Sequence, residues 1–280
     1  MKISCLNVAI ILSILLFSCG KTSSESPVVD PLPTPLPPPV PPFETDPMLK
    51  QGLLLYYPFN AKSDDESGND YHLQVKGPTL TSNRFGEQNK AYNFNGVSDY
   101  MIIPPVQKSD SLRDLTISLW VKTENNTSAV ILSFLLPDDM KCSSYIGLDN
   151  SGGQFNSHHQ MISSYTKNSC TAPIIKDSIG DPLNKWTHIL LVQHFYTQGS
   201  LTYYRYYPYV NGKKLSTAAS AISVIPQKTS FTKGGIVGGN NVSTDYQYNF
   251  RLFKGAIDDI RVYNRLLTEE EIGKLYAMKE

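Results

Sequence analysis

From Gly52 onward, apolar and polar residues alternate in short runs separated by turn residues, a period of two that predicts strands. The run "DLTISLWVKT" shows it most clearly. Leu115, Ile117, Leu119 and Val121 point one way, and Thr116, Ser118, Trp120 and Lys122 point the other. Runs of the same kind are "LLLYYPF", "AYNFN", "YMIIP", "AVILSFLL", "WTHILLVQHF", "LTYYRYYPYV" and "AIDDIRVY". Many short strands punctuated by turns predict an all-β, two-sheet antiparallel sandwich. Asn211-Gly212 in "VNGKKL" marks a tight hairpin, because both residues tolerate the positive φ that such a turn requires. A short C-terminal helix is predicted as well. Thr268 as N-cap and Glu271 form a capping box, Leu267 can staple onto Ile272, and three glutamates sit at the positive end of the helix dipole.

The pattern changes before Gly52. Lys2 precedes the apolar run "LNVAIILSILLF", which is too short to span a bilayer, and "LFSC" follows. Residues 1–18 resemble a bacterial lipoprotein signal peptide, which implies cleavage before Cys19 and acylation of that cysteine; a simple secretory signal or an anchor helix is the other reading. Residues 19–49 carry ten prolines between positions 27 and 47, which forbid helix and ladder pairing and predict an extended polyproline II linker. The folded domain is expected over 50–280. This organisation implies a chain anchored by its N-terminal lipid at the bacterial cell envelope, on the outer membrane or the cell surface. Export also changes the meaning of the cysteines. Cys142 and Cys170 are left in the folded part, and an even pair in an oxidising compartment points to a disulfide, since no CxxC or zinc spacing is present.

Charge narrows the function. Lys and Arg total 25 and so do Asp and Glu, so no net field draws the chain to nucleic acid. No nucleic-acid partner is expected.

The pieces "LLYYPFNAKSDDESGNDYHLQV", "RFGEQNKAYNFNGVSDYMIIP", "LTISLWVKT", "KWTHILLV", "YVNGKKL" and "FKGAIDDIRVYNRLLTEEEIGKLY" occur in an order that resembles laminin G-like jelly-roll domains of the concanavalin A-like lectin/glucanase superfamily. The resemblance runs from about Leu53 to Tyr276 and departs between Phe134 and Asn184, where both remaining cysteines lie. It implies a concanavalin A-like jelly roll.

Two adjacent carboxylates interrupt the last strand. Counting by twos puts Asp258 with Ile260 and Val262 on one face, and Asp259 with Arg261 and Tyr263 on the other. A carboxylate in apolar company needs a cation or several donors. The resemblance implies a structural calcium between the acidic loop "NAKSDDESGND" and the first Asp of the strand. Asn60, Asp65 and Asp258 are then the expected side-chain ligands, with the carbonyls of Ser67 or Gly68 helping. The alternative is a solvated acidic turn, with Asp258 capping backbone amides.

Catalysis is not expected. The Glu-x-Asp-x-x-Glu cluster that glucanases of this superfamily use is missing, and Glu66, Glu87 and Glu124 are scattered. His158 and His159 are adjacent and diverge on a strand, and His188 in "KWTHILLV" is expected to be a core or edge histidine. The glycines of "GGIVGGNN" lack the following helix of a phosphate cradle. Binding rests on aromatics. Tyr203, Arg205, Tyr207 and Tyr209 share one face of "YTQGSLTYYRYYPYV", with Tyr204 and Tyr206 on the other; Asn240, Asn241, Tyr246, Tyr248 and Arg251 form a second polar and aromatic group. Arg205, Tyr207, Tyr209 and Tyr246 are the expected ligand-binding residues, for carbohydrate or alternatively for a cell-surface protein in an adhesive or envelope-structural role. Core packing is the competing fate for each tyrosine.

Overall fold

The computed structural model describes residues 46–109, 112–125, 127–135, 143–149, 159–163, 177–178, 183–199, 201–215, 219–223, 231–239 and 252–279. The signal peptide, Cys19, most of the proline-rich linker, Cys142, Cys170, His158 and Tyr246 lie outside them.

The chain opens with α1 (Pro47–Lys50), then β1 (Leu53–Tyr57), β2 (Gln74–Lys76), β3 (Thr79–Thr81), β4 (Ala91–Asn95), β5 (Tyr100–Ile103) and β6 (Leu115–Thr123). There follow β7 (Ala129–Leu135), β8 (Ser143–Asp149), β9 (His159–Ser163), β10 (Asp177–Ser178), β11 (Thr187–Gln198), β12 (Leu201–Val210), β13 (Lys213–Lys214), β14 (Ala219–Ser223), β15 (Gly235–Val237), β16 (Lys254–Tyr263) and α2 (Glu269–Ala277). Two antiparallel sheets result. The larger runs β13-β12-β11-β6-β16-β4-β3, with β1 also on β16 and β14 on β12. The smaller runs β10-β9-β8-β7-β15-β5-β2. This is a jelly-roll sandwich in which the first and last strands pair, Tyr57 lying opposite Ile260.

Alternation builds the inner core as expected. Leu115, Ile117, Leu119 and Val121 of β6 all enter the core between the sheets, where Met101, Ile103, Ile131 and Phe134 meet them from the smaller sheet. The other face of β6 is not the solvated face that period two suggests. Thr116, Ser118 and Trp120 are also buried. A second apolar cluster covers that outer face, built from Leu190, Val192, Tyr209 and Tyr263 of the sheet with Ile272, Leu275 and Met278 of the C-terminal segment. Each such side chain, fully buried, contributes about 1.5–3 kcal/mol. The helix that covers them starts as its sequence predicts. Thr268 Oγ1 accepts from Glu271 N, the Glu271 carboxylate accepts from Thr268 N, and Leu267 and Ile272 share the outer cluster.

A short helix precedes β1 in the described residues. Asp46 caps α1 by accepting from Met48 N, Pro47 occupies the first turn, and Leu49 is buried in the outer cluster. The Asn211-Gly212 hairpin forms, with φ of 49° and 73°, and Asn211 Oδ1 accepts from His188 N to tie the turn back to β11. Gly255 is held at φ 140° against the Lys122 carbonyl, where a Cβ has no room.

Candidate functional site

The interrupted strand resolves first. Between Asp258 and Arg261 the register of β16 against β6 shifts, and Asp259 takes φ 54°. This is a β-bulge, placed where aspartate tolerates the left-handed conformation. The extra residue resets the alternation. Ile257, Ile260 and Val262 all enter the inner core, while Arg84 reaches both Asp258 and Asp259 on the outer face. Counting by twos from Asp258 to Ile260 therefore fails at the bulge.

The cation that Asp258 requires is a guanidinium. Arg84 Nη1 lies 3.0 Å from Asp258 Oδ2, and Arg84 Nη2 lies 3.5 Å from Asp259 Oδ2 and donates to the Met278 carbonyl at 3.2 Å. Asp259 also pairs with Arg261. All four charged side chains are at most 3% exposed. Aromatic faces hold the two arginines. Arg84 sits 4.6 Å from the Phe85 ring centroid and 4.7 Å from that of Trp120, and Arg261 sits 4.2 Å from that of Tyr56.

The acidic loop is engaged elsewhere. Asp65 Oδ1 accepts from Tyr56 N at 2.9 Å and Ser67 N at 3.0 Å, and Oδ2 accepts from Ser67 Oγ at 2.9 Å and Tyr71 N at 3.0 Å. Four donors fill the four lone-pair sites of a carboxylate. Asp65 thus folds its loop onto β1, helped by Asn69, which donates to the Leu53 and Leu54 carbonyls. Gly68 turns the loop at φ 84°. Asn60 Oδ1 is buried with no hydrogen-bond partner among the described residues, but one amide oxygen does not make a calcium site. With four donors on Asp65 and a guanidinium on Asp258 Oδ2, the described residues do not fit a calcium ion shared between Asp65 and Asp258. No group of three or more His, Cys, Asp or Glu side chains able to hold a metal occurs among the described residues.

His188 is fully buried, with Nε2 2.8 Å from Ser118 Oγ. Desolvation pushes its pKa down to about 3, so the ring is neutral at physiological pH. It packs against Trp120 as a core residue.

The aromatic strand pair carries a half-buried polar and aromatic surface. Leu190 lies opposite Tyr209, Val192 opposite Tyr207 and His194 opposite Arg205, so all six occupy the outer face of β11 and β12. The first of these pairs is covered. Tyr209 is 5% exposed and belongs to the outer cluster beneath α2, which corrects its expected role as a ligand-binding residue. Tyr207 is half-buried at the margin of that cluster, and the outer face continues past it to half-buried Arg205, His194 and Tyr196.

These side chains form a connected stripe. Asp114 Oδ1 lies 2.9 Å from His194 Nδ1 and accepts from Phe195 N at 3.0 Å, which sets the ring's orientation. The His194 ring stacks on Tyr196, with centroids 5.7 Å apart and planes 18° apart. Arg205 lies over the Tyr196 ring at 5.2 Å and donates to its hydroxyl at 3.1 Å. Hydrogen bonding to Tyr207, then the proximity of Tyr196, raises the Arg205 pKa above its ordinary value. Lys214 stands 4.4 Å over the Tyr207 ring. Arg205 and Tyr207 were legible in the sequence, whereas Asp114, His194, Tyr196 and Lys214 were missed. Gln198 pairs with Leu201, and counting outward from that pair sets His194 opposite Arg205, so that signal was present.

A family model described as the concanavalin A-like lectin/glucanases superfamily matches residues 95–273. No match is found among curated proteins. Among solved structures, domain 4 of AbnA, an extracellular arabinanase from Geobacillus stearothermophilus in complex with arabinotriose, is 20% identical with a TM-score of 0.54; the match covers 80% of this chain and 98% of that one. The receptor-binding domain of botulinum neurotoxin type G is 16% identical, TM-score 0.53, over 81% of this chain and 51% of that one. The Trypanosoma rangeli sialidase in complex with sialic acid is 15% identical, TM-score 0.55, over 81% of this chain and 33% of that one. This chain therefore spans about half of the neurotoxin domain and a third of the sialidase. At these identities the likeness shows the fold. With the model matched over most of the folded part and the two-sheet jelly roll in place, the chain belongs to the concanavalin A-like lectin/glucanase superfamily.

Proposed function

We propose that this chain is a non-catalytic carbohydrate-binding module, carried to the bacterial cell envelope by the signal at residues 1–18 and held there by lipid on Cys19. The observation that carries the reading is the stripe on β11 and β12. Tyr196, Tyr207 and His194 offer half-exposed rings, and Arg205 with the Asp114–His194 pair places hydrogen-bonding groups between them. Sugars present C–H faces that stack on such rings and hydroxyls that seek such donors and acceptors. The arabinotriose held by the arabinanase domain supports the same direction.

The test is a titration of the purified chain with oligosaccharides selected on a glycan array, repeated with Tyr196→Ala. Loss of one half-buried stacking ring is expected to weaken binding about tenfold, on the order of 1 kcal/mol. Unchanged affinity in Tyr196→Ala, with binding intact, would place the sugar elsewhere.

A further inference from the structure

We infer that His194 Nε2 is a hydrogen-bond acceptor offered to the ligand of the β11–β12 stripe, that Asp114 is the positioning residue that makes it one, and that the ligand is a neutral oligosaccharide presenting a free hydroxyl there. This rests on the carbohydrate reading of the same stripe. Strand pairing sets up the arrangement. Gln193 lies opposite Leu115 of β6, so the next residue of β11, His194, meets Asp114 just before that strand. Across β11 on the other side, His194 lies opposite Arg205 of β12.

The partner of one ring nitrogen decides the chemistry of the other. Asp114 Oδ1 lies 2.9 Å from His194 Nδ1, and a carboxylate has only lone pairs to offer, so Nδ1 carries the proton. In the neutral ring Nε2 then keeps a bare lone pair. Two further contacts fix the ring. Asp114 Oδ1 also accepts from Phe195 N at 3.0 Å, which ties the carboxylate to the backbone of β11, and the imidazole stacks on Tyr196. Nε2 itself bonds to none of the described residues. The His194 side chain is 35% exposed, and Nε2 is not one of the buried polar atoms that lack a partner among the described residues, so it opens to solvent. The same strand carries a contrast in His188, whose Nδ1 is also unpaired among the described residues but is sealed in the fold, out of a ligand's reach.

An acceptor selects for a donor. The side chains of Arg205 and Lys214 along the stripe can only donate, and Nε2 supplies the complementary function. The donor that neutral sugars carry is the hydroxyl. A carboxylate or sulfate oxygen at this point would set lone pair against lone pair beside the Asp114 charge, and a deoxy position would leave Nε2 without its partner.

The experiment uses the purified chain labelled with nitrogen-15. Long-range proton–nitrogen spectra, taken at a pH above the titration of the ring, are expected to show His194 with Nδ1 protonated and Nε2 bare, and Asp114→Ala is expected to shift the proton toward Nε2. A wild-type ring protonated at Nε2, or an unchanged tautomer in Asp114→Ala, would overturn the inference. The chain is then titrated with arabino-, xylo-, gluco- and galactotriose. At least one should bind and displace the Nε2 resonance while Nδ1 stays protonated. One of its monodeoxy analogues should bind about three- to tenfold more weakly, the net worth of one hydrogen bond. In His194→Phe, which keeps a ring against Tyr196, that analogue and its parent should bind alike. A bound triose that leaves Nε2 unmoved, a deoxy preference that survives His194→Phe, or failure of all four trioses to bind would overturn this inference while leaving the carbohydrate reading to the glycan array. Absence of binding to every glycan on that array would overturn both.

Discussion

Arg84→Met is the most informative perturbation of the scaffold. Methionine keeps the apolar stem between Phe85 and Trp120 but removes the guanidinium that faces two fully buried carboxylates. Asp259 retains Arg261; Asp258 loses the cation 3.0 Å from its Oδ2. Removing one partner of a buried ion pair costs about 3–5 kcal/mol, because the remaining charge is not resolvated. For a domain of this size that corresponds to a fall in Tm of roughly 6–20 °C. The assay is urea denaturation of the wild type, Arg84→Met, Asp258→Asn and the double variant. The two substitutions act on one contact, so the double variant should lose at least about 1.5 kcal/mol less than the sum of the single losses. A loss below about 1 kcal/mol in Arg84→Met, or strict additivity, would refute the assignment of Arg84 as the counter-ion of the bulge.

Three further outcomes are expected. Saturating calcium and excess chelator should give the same Tm, since Asp65 has four donors and Asp258 a guanidinium; a calcium-dependent rise of several degrees would contradict this. Burial lowers the folded-state pKa of His188 to about 3, below the unfolded value of about 6.5, so stability is full above that unfolded value and falls by about 1.4 kcal/mol per unit as pH drops from 6.5 toward 3. His188→Gln should show a shallower acid slope in denaturation curves taken at pH 7 and pH 4.5, and an unchanged slope would contradict the assignment. Thr268→Ala removes the acceptor for Glu271 N and should cost about 0.5–2 kcal/mol in the same denaturation assay.

Most of the sandwich was legible because period two, an Asn-Gly turn and a capping box are local signals. The outer layer was harder to read. Trp120 and Ser118 look solvent-facing on alternation alone, and distant segments bury them, α2 and Arg84 over Trp120 and His188 beside Ser118, a long-range event that no short window contains. Asp258 shows the same limit. Its need for a cation could be argued from its neighbours, yet the cation is Arg84, 174 positions away, and the bulge that turns Asp258 to that side rests on a single φ at Asp259. The stripe was half visible: Arg205 and Tyr207 stand out in a tyrosine-rich run, while His194 and Tyr196 emerge only once β11 and β12 are paired. Tyr209 has the same parity as Tyr207, and what separates their fates is where α2 ends its cover.

The central claim, that the outer face of β11 and β12 is the carbohydrate surface, is tested most directly by one glycan-array comparison. The wild-type chain and Tyr196→Ala/Tyr207→Ala are screened side by side, each first shown to retain its native circular dichroism spectrum. The account predicts selective glycan binding by the wild type and its loss in the double variant. Selective binding that survives both substitutions, or a folded wild type that binds no glycan, would contradict it.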